Sequence, residues 1–223
     1  MTGLILKLSY NYVGDSNVVG GICGSFFFLQ ADKAITANHV LNRTNFKPNE
    51  GFALCQFWLI IQPNYIIELK AENLTEYAEV DSTIIELEQP YQYEIRKIAL
   101  TPFLIGIECE NEGFIAGEMP ALNIIWGPRG LIISSCNYNG TSIVARGQIK
   151  SLPIITISAN DIKLNNIKGF ETSYGGVIGM SGGPLIATET GEIIGLMSIG
   201  LPADVKIKKS LFAISLTEII SKV

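Results

Sequence analysis

Apolar residues in this chain come in bursts of four to seven, many alternating with polar ones, and Gly, Pro, Asn and Asp separate the bursts. That period of two is the rhythm of β-strands. Residues 4–10 read as a first strand and 23–29 as a second, with Gly20-Gly21 before it and the turn-like Gln30-Ala31-Asp32-Lys33 after it; residues 34–36 return from that hairpin. Residues 52–62 and 65–71 form a hairpin around Pro63-Asn64, and 82–87 is a short apolar strand directly after Asp81. Residues 88–102, bounded by prolines and mixed in polarity, read as a connector. A second set follows at 103–108, 121–126, 131–136, 143–151, 185–187, 192–198 and 211–214, punctuated by Gly127-Pro128-Arg129-Gly130 and Asn137-Tyr138-Asn139-Gly140. Only 216–223 has helical spacing, with Thr217 able to cap and Ile219, Ile220 and Val223 on one face. The expectation is an all-β chain in two halves, residues 1–100 and 101–223, closed by a short helix.

Composition narrows the partners. Hydrophobic residues make up 48% of the 223, with a mean hydropathy of +0.32. Yet no apolar run approaches the roughly 18 to 20 residues that span a bilayer, so no membrane partner is expected. A net charge of −5 and a pI near 5.0 argue against nucleic acid, whose phosphates call for clustered Lys and Arg. Lys206-Ile207-Lys208-Lys209 is the basic cluster, and it reads as a solvated loop or a protected edge strand. Cys23, Cys55, Cys109 and Cys136 match no metal-ligand spacing, so neither metal nor organic cofactor is expected. Residues 1–7 lack the features of a secretory leader, and reduced thiols in a cytoplasmic setting are the simplest account.

Three places carry candidate chemistry. Gly179-Met180-Ser181-Gly182-Gly183-Pro184 sets a serine among residues that permit a tight turn, where the N–H groups of Gly179 and Ser181 could converge on an oxyanion; a plain hairpin turn uses the same residue types. His39, the one histidine, ends the strand Ala34-Ile35-Thr36-Ala37, either as a structural residue or as a general base. A serine hydroxyl needs such a base, and the base needs a carboxylate to fix its tautomer. Of the five aspartates, Asp81 stands at the head of a buried strand, where it is either that carboxylate or a strand-start turn residue.

Together these segments resemble the chymotrypsin-like serine peptidases. Thr36-Ala37-Asn38-His39 is similar to that family's Thr-Ala-x-His, Asp81-Ser82-Thr83-Ile84-Ile85-Glu86-Leu87 to its Asp-x-Ala-Leu-Leu-x-Leu strand, and Gly179 to Leu185 to its Gly-Asp-Ser-Gly-Gly-Pro-Leu loop. The order His, Asp, Ser also fits. Gly195-Leu196-Met197-Ser198-Ile199-Gly200 is similar to the strand after the nucleophile, and 121–127 with 144–149 to the start of the second barrel. The resemblance implies two six-stranded antiparallel Greek-key β-barrels with the site in the cleft between them. It implies a serine endopeptidase acting on proteins or peptides through His39, Asp81 and Ser181. It also implies an oxyanion hole of the Gly179 and Ser181 N–H groups, and pairing of Ser198, Ile199 and Gly200 with the substrate backbone.

The departures shape the expectation further. Met180 stands where zymogen-activated members carry an aspartate, so a freed N-terminus cannot lock the loop, and Val18-Val19-Gly20-Gly21 reads as a strand-entry loop instead. Val40 replaces the cysteine that would bridge toward Cys23, which fits the bacterial or intracellular, non-zymogen branch. By resemblance Gly175 is the pocket floor and Tyr174 its edge, which points to an uncharged residue before the scissile bond; Glu171 is the nearest carboxylate that could alter this. The alternatives are a protease gated by an activating or regulatory partner and a non-catalytic peptide-binding module on the same fold.

Overall fold

The computed structural model describes residues 1–61, 65–92, 94–100, 105–138, 142–159, 162–199 and 211–222. The first half forms β1 (Thr2–Tyr10), β2 (Val19–Gln30), β3 (Lys33–Ala37), β4 (Leu54–Ile61), β5 (Tyr65–Leu69), β6 (Leu74–Tyr77) and β7 (Ser82–Glu86). The second forms β8 (Glu108–Phe114), β9 (Ala121–Gly127), β10 (Gly130–Asn137), β11 (Ser142–Ser151), β12 (Ile154–Ala159), β13 (Ile162–Thr172), β14 (Pro184–Ala187), β15 (Ile193–Ile199), β16 (Phe212–Ser215) and the helix α1 (Leu216–Ile220). β1 to β7 make one antiparallel sheet in the order β5-β4-β1-β2-β3-β7-β6, and a second runs β11-β8-β14-β15-β16-β13-β12. Both sheets are barrel-like, as the two-barrel expectation requires. Each holds seven strands rather than six, because the short β6 pairs outside β7 and β12 folds back on β13.

The run Phe26-Phe27-Phe28 explains how the halves join. Side chains on a strand alternate between faces. Phe26 and Phe28 therefore point into the first barrel with Ile5, Phe57, Leu59 and Ile85, while Phe27, Ile35 and Ile84 point outward. There they meet Ile186, Leu196, Ile214 and Ile219 of the second half. Each such buried side chain contributes about 1.5–3 kcal/mol, so the outward face is a second core between the sheets.

Residues 121–127 correct an expectation. The second sheet starts at β8, and β9 pairs with β10 as a separate hairpin. Leu131, Ile133 and Cys136 of that hairpin cover Leu4, Leu6, Leu8, Trp58 and Ile60 on the outer face of the first sheet. Gln56 fastens it, accepting from the Leu131 N–H at 2.8 Å and donating to the Leu131 carbonyl at 3.3 Å. Of the strand expected at 103–108, residues 103 and 104 lie outside the described residues; among the described ones the strand begins only at Glu108 and runs to Phe114, where Glu108, Glu110 and Glu112 alternate with the buried Cys109, Asn111 and Gly113. β6, β12 and β13 were not expected at all. The strand-entry reading of Val18 to Gly21 is also corrected: β2 already begins at Val19 and pairs with Ser9. The connector 88–102 is not merely a link, since Ala99 N–H donates to the Ile193 carbonyl and Ile193 N–H to the Lys97 carbonyl. The expected turns at Pro63-Asn64 and Asn139-Gly140, and the basic cluster 206–209, lie outside the described residues.

Candidate active site

His39 and Asp81, 42 positions apart, meet because of strand register. β3 pairs with β7 so that Ala37 lies opposite Ser82, which places the residues just beyond each pairing side by side. Past Ala37 the chain turns, with Val40 N–H donating to the Ala37 carbonyl at 3.0 Å, and His39 sits in that turn. On the other side the 3₁₀ turn Ala78–Val80 ends at Asp81, whose backbone is left-handed, φ 40 and ψ 47. Aspartate tolerates that conformation better than most residues.

The Asp81 carboxylate is 2% exposed and fully engaged. Its Oδ1 accepts from the His39 backbone N–H at 2.9 Å. Its Oδ2 lies 2.8 Å from His39 Nδ1 and accepts a short hydrogen bond from the Ser198 hydroxyl. An ionised carboxylate can only accept, so Nδ1 is the donor of this bond, and in the neutral imidazole that leaves the lone pair on Nε2. Three donors on one carboxylate also satisfy a burial that would otherwise be costly. The part of Ser198 that resemblance did not anticipate is therefore its side chain; a polar residue directly after the run Ile193 to Met197 and before Ile199 is the available signal.

The loop that carries Ser181 runs from β13 to β14 and meets the first sheet where Ser25 N–H donates to the Ser181 carbonyl at 2.9 Å. Ser181 N–H and Gly179 N–H donate no backbone hydrogen bond among the described residues. Their directions are set indirectly, because in a planar trans peptide the N–H points opposite the carbonyl. The Ile178 carbonyl accepts from Ala116 N–H at 2.9 Å and the Met180 carbonyl from Gly183 N–H at 3.0 Å, which orients the N–H groups of Gly179 and Ser181 in turn. Two glycines make the path possible. Gly179 has φ +106 and Gly182 φ +84, and a Cβ on Gly182 would stand 2.1 Å from the Ser25 carbonyl oxygen and 2.2 Å from Thr36 Oγ1.

Met180 is 1% exposed among Cys109, Phe170, Leu185, Met197 and Leu211. An apolar anchor in the second core thus occupies the position before the serine. The Ser181 hydroxyl donates to the Ser198 carbonyl at 3.5 Å, and no hydrogen bond joins it to His39 among the described residues. Gly24 lies against both segments: an added Cβ there would stand 2.6 Å from Val40, the residue after His39, and 3.0 Å from the Ser181 carbonyl oxygen.

Other expected site residues are placed as follows. Tyr174 is half-buried against the second core, its hydroxyl 4.0 Å from Cys109 Sγ, and burial pushes its phenol upward in pKa. Gly175 lies beside it, and the next residue, Gly176, faces Leu211 and Met180 at 2.5 and 3.0 Å from the position of an added Cβ. Glu171 points to Lys150 at 2.8 Å and Ser151 at 2.6 Å. Ile199 ends β15 opposite Phe212, and Gly200 lies outside the described residues. No disulfide links Cys23 to a neighbour; Val40 packs on Gly24 instead, and burial raises the Cys23 thiol to about 11. Among the described residues no three His, Cys, Asp or Glu side chains gather as a metal-binding group, and no helix is long and apolar enough to cross a membrane.

The arrangement of sheets is that of HtrA/trypsin-like serine proteases. The Rv3671c protease from M. tuberculosis in its active form superposes with a TM-score of 0.56 at 15% identity, covering 98% of this chain and 78% of that one. The HtrA-type protease AlgW, solved with a decapeptide, gives 0.61 at 14% identity over 96% of this chain and 60% of its own. The serine endoprotease from Yersinia pestis gives 0.56 at 17% identity, covering 98% and 60%. At such identities the likeness is one of fold. No protein-family profile and no curated protein matches the sequence.

Proposed function

We propose that this chain is a serine endopeptidase. Ser181 attacks the peptide carbonyl, His39 Nε2 takes the hydroxyl proton and returns it to the leaving amine, and Asp81 holds the imidazole in the tautomer that leaves Nε2 basic. The resulting acyl-enzyme is released by water through the same residues in reverse order of roles. The N–H groups of Gly179 and Ser181 stabilise the oxyanion, an effect of about 3–4 kcal/mol per donor. What supports this reading most is the His39–Asp81 hydrogen bond at 2.8 Å, with a buried carboxylate satisfied by three donors, set beside a glycine-rich serine loop.

The substrate is a protein or peptide whose backbone pairs along Ser198 to Gly200. Preference before the scissile bond is for an uncharged residue, since Gly176, next to Gly175, faces the apolar Leu211 and Met180 while Glu171 is committed to Lys150 and Ser151. Anchored carbonyls on both sides of Gly179 favour a loop formed without a regulatory partner. A reducing, cytoplasmic setting belongs to the same proposal, supported by the unbridged Cys23, Cys55 and Cys109. A fluorophosphonate should add its mass to Ser181 in the isolated protein, and His39→Ala should abolish the addition. Labelling only after a partner is supplied would establish gating, and none under any condition would leave a binding module.

A further inference from the structure

Ser25, on the first sheet, hydrogen-bonds its side chain to the loop that carries Ser181. It lies on β2, is 0% exposed, and uses every polar atom it has. Its N–H donates to the Ser181 carbonyl at 2.9 Å, and its hydroxyl donates to the Gly179 carbonyl at 2.8 Å. The same hydroxyl accepts from Phe114 N–H at 3.2 Å, and the Ser25 carbonyl accepts from the Thr36 hydroxyl at 2.7 Å. Three consecutive peptides of the loop therefore have anchored carbonyls. Main-chain donors hold Ile178 and Met180; a side chain holds the middle one, Gly179.

The N–H of the middle peptide, that of Met180, donates to the Val177 carbonyl at 3.3 Å, so the Ser25 hydroxyl at 2.8 Å is the shorter of the two ties on that peptide. Gly179 has no Cβ and sits at φ +106, so its own torsions restrain the following peptide less than those of another residue would. Turning it would carry the neighbouring N–H groups off their common direction. Met180 contributes no charge that could resist this, since it is an apolar side chain in an apolar core.

We propose that Ser25 is the positioning residue of this loop: from the opposite sheet, its hydroxyl fixes the Gly179 peptide and with it the two N–H groups that serve the reacting carbonyl. The kinetic consequence rests on the peptidase reading; the structural one does not. Contact between the sheets thus sets the loop, and the oxyanion geometry depends on β2 staying docked.

Ser25→Ala removes the hydroxyl and leaves the main-chain bond to Ser181. Hydrogen exchange over residues 177–183 should then quicken about tenfold while β9 and β10 exchange as before. Fluorophosphonate labelling of Ser181 should slow roughly tenfold to a hundredfold, less than the loss of a whole oxyanion donor. With a p-nitrophenyl ester, kcat should fall and KM stay within twofold. Unchanged exchange at 177–183, or exchange quickened equally in both sheets, overturns the proposal. Wild-type protein that resists the fluorophosphonate overturns the peptidase reading, and the exchange comparison still decides the role of Ser25. Should Ser25→Ala not fold, Ser25→Cys, which keeps a side chain of similar shape but a weaker donor, carries the same comparison with a smaller change.

Discussion

The turn holding His39 and the loop holding Ser181 face each other, yet they are fixed by opposite means. A buried charge organises the first: Asp81 accepts from the His39 backbone, the His39 ring and the Ser198 hydroxyl, and its own backbone is left-handed. The second contains no charge. It is held by carbonyls anchored to neutral donors and by Met180 sunk into an apolar core. An imidazole that must stay in one tautomer needs a directional, charged partner, whereas an N–H that must merely point one way can be set by the far end of its own peptide. Each region should therefore fail in its own way.

The largest effect should come from the charged side. Asp81→Asn keeps the shape but presents donors to the imidazole, and the labelling rate of Ser181 should drop by about 10⁴; a rate within tenfold of wild type would mean that the carboxylate does not set the tautomer. Charging the neutral side should damage stability instead. Met180→Asp buries an unpaired carboxylate and should cost about 3–5 kcal/mol, roughly 6–20 °C in Tm, while Met180→Leu should cost under about 1.5 kcal/mol. Thermal unfolding of the pair checks this, and equal losses would remove the distinction between the regions.

Ser198→Ala takes one of three donors from the buried Asp81 and should slow labelling roughly tenfold and lower Tm by a few degrees. The last expectation leaves activity untouched and concerns β2, which passes between the two regions. The Cys23 thiol is raised to about 11 by burial, so its thiolate at pH 8 is about a hundredfold scarcer than that of a cysteine near 9. Iodoacetamide should modify it about a hundredfold more slowly than an exposed cysteine, with the rate climbing as pH rises toward 11. Rapid modification at pH 8, followed by mass, would show that β2 opens easily and that neither region is as firmly seated as their hydrogen bonds imply.

How legible each element was follows from its burial. β1 to β5 and β7 carry large apolar residues, and residues 4–10, 23–29 and 82–87 stood out on that account. β8 did not, because its inward positions are Cys109, Asn111 and Gly113, none of them large and apolar. β13 is harder still. Asn166 lies at φ 60, and the buried positions Leu164 and Ile167 fall three apart, so the period of two is broken within the strand. The hairpin of β9 and β10 was visible as two strands but assigned to the wrong sheet.

The sequence by itself determined which residue types could carry the chemistry. The single histidine, an aspartate before an apolar strand, and a serine between glycines follow from composition and local pattern, and so does the all-β class. The tertiary structure alone decided what each of them touches. The β3–β7 register brings His39 to Asp81, β15 delivers the Ser198 hydroxyl to the same carboxylate, and β2 delivers Ser25 to Gly179. A period of two says which face of a strand is apolar. It does not say which distant strand will cover that face, because pairing is settled by contacts far apart in the chain.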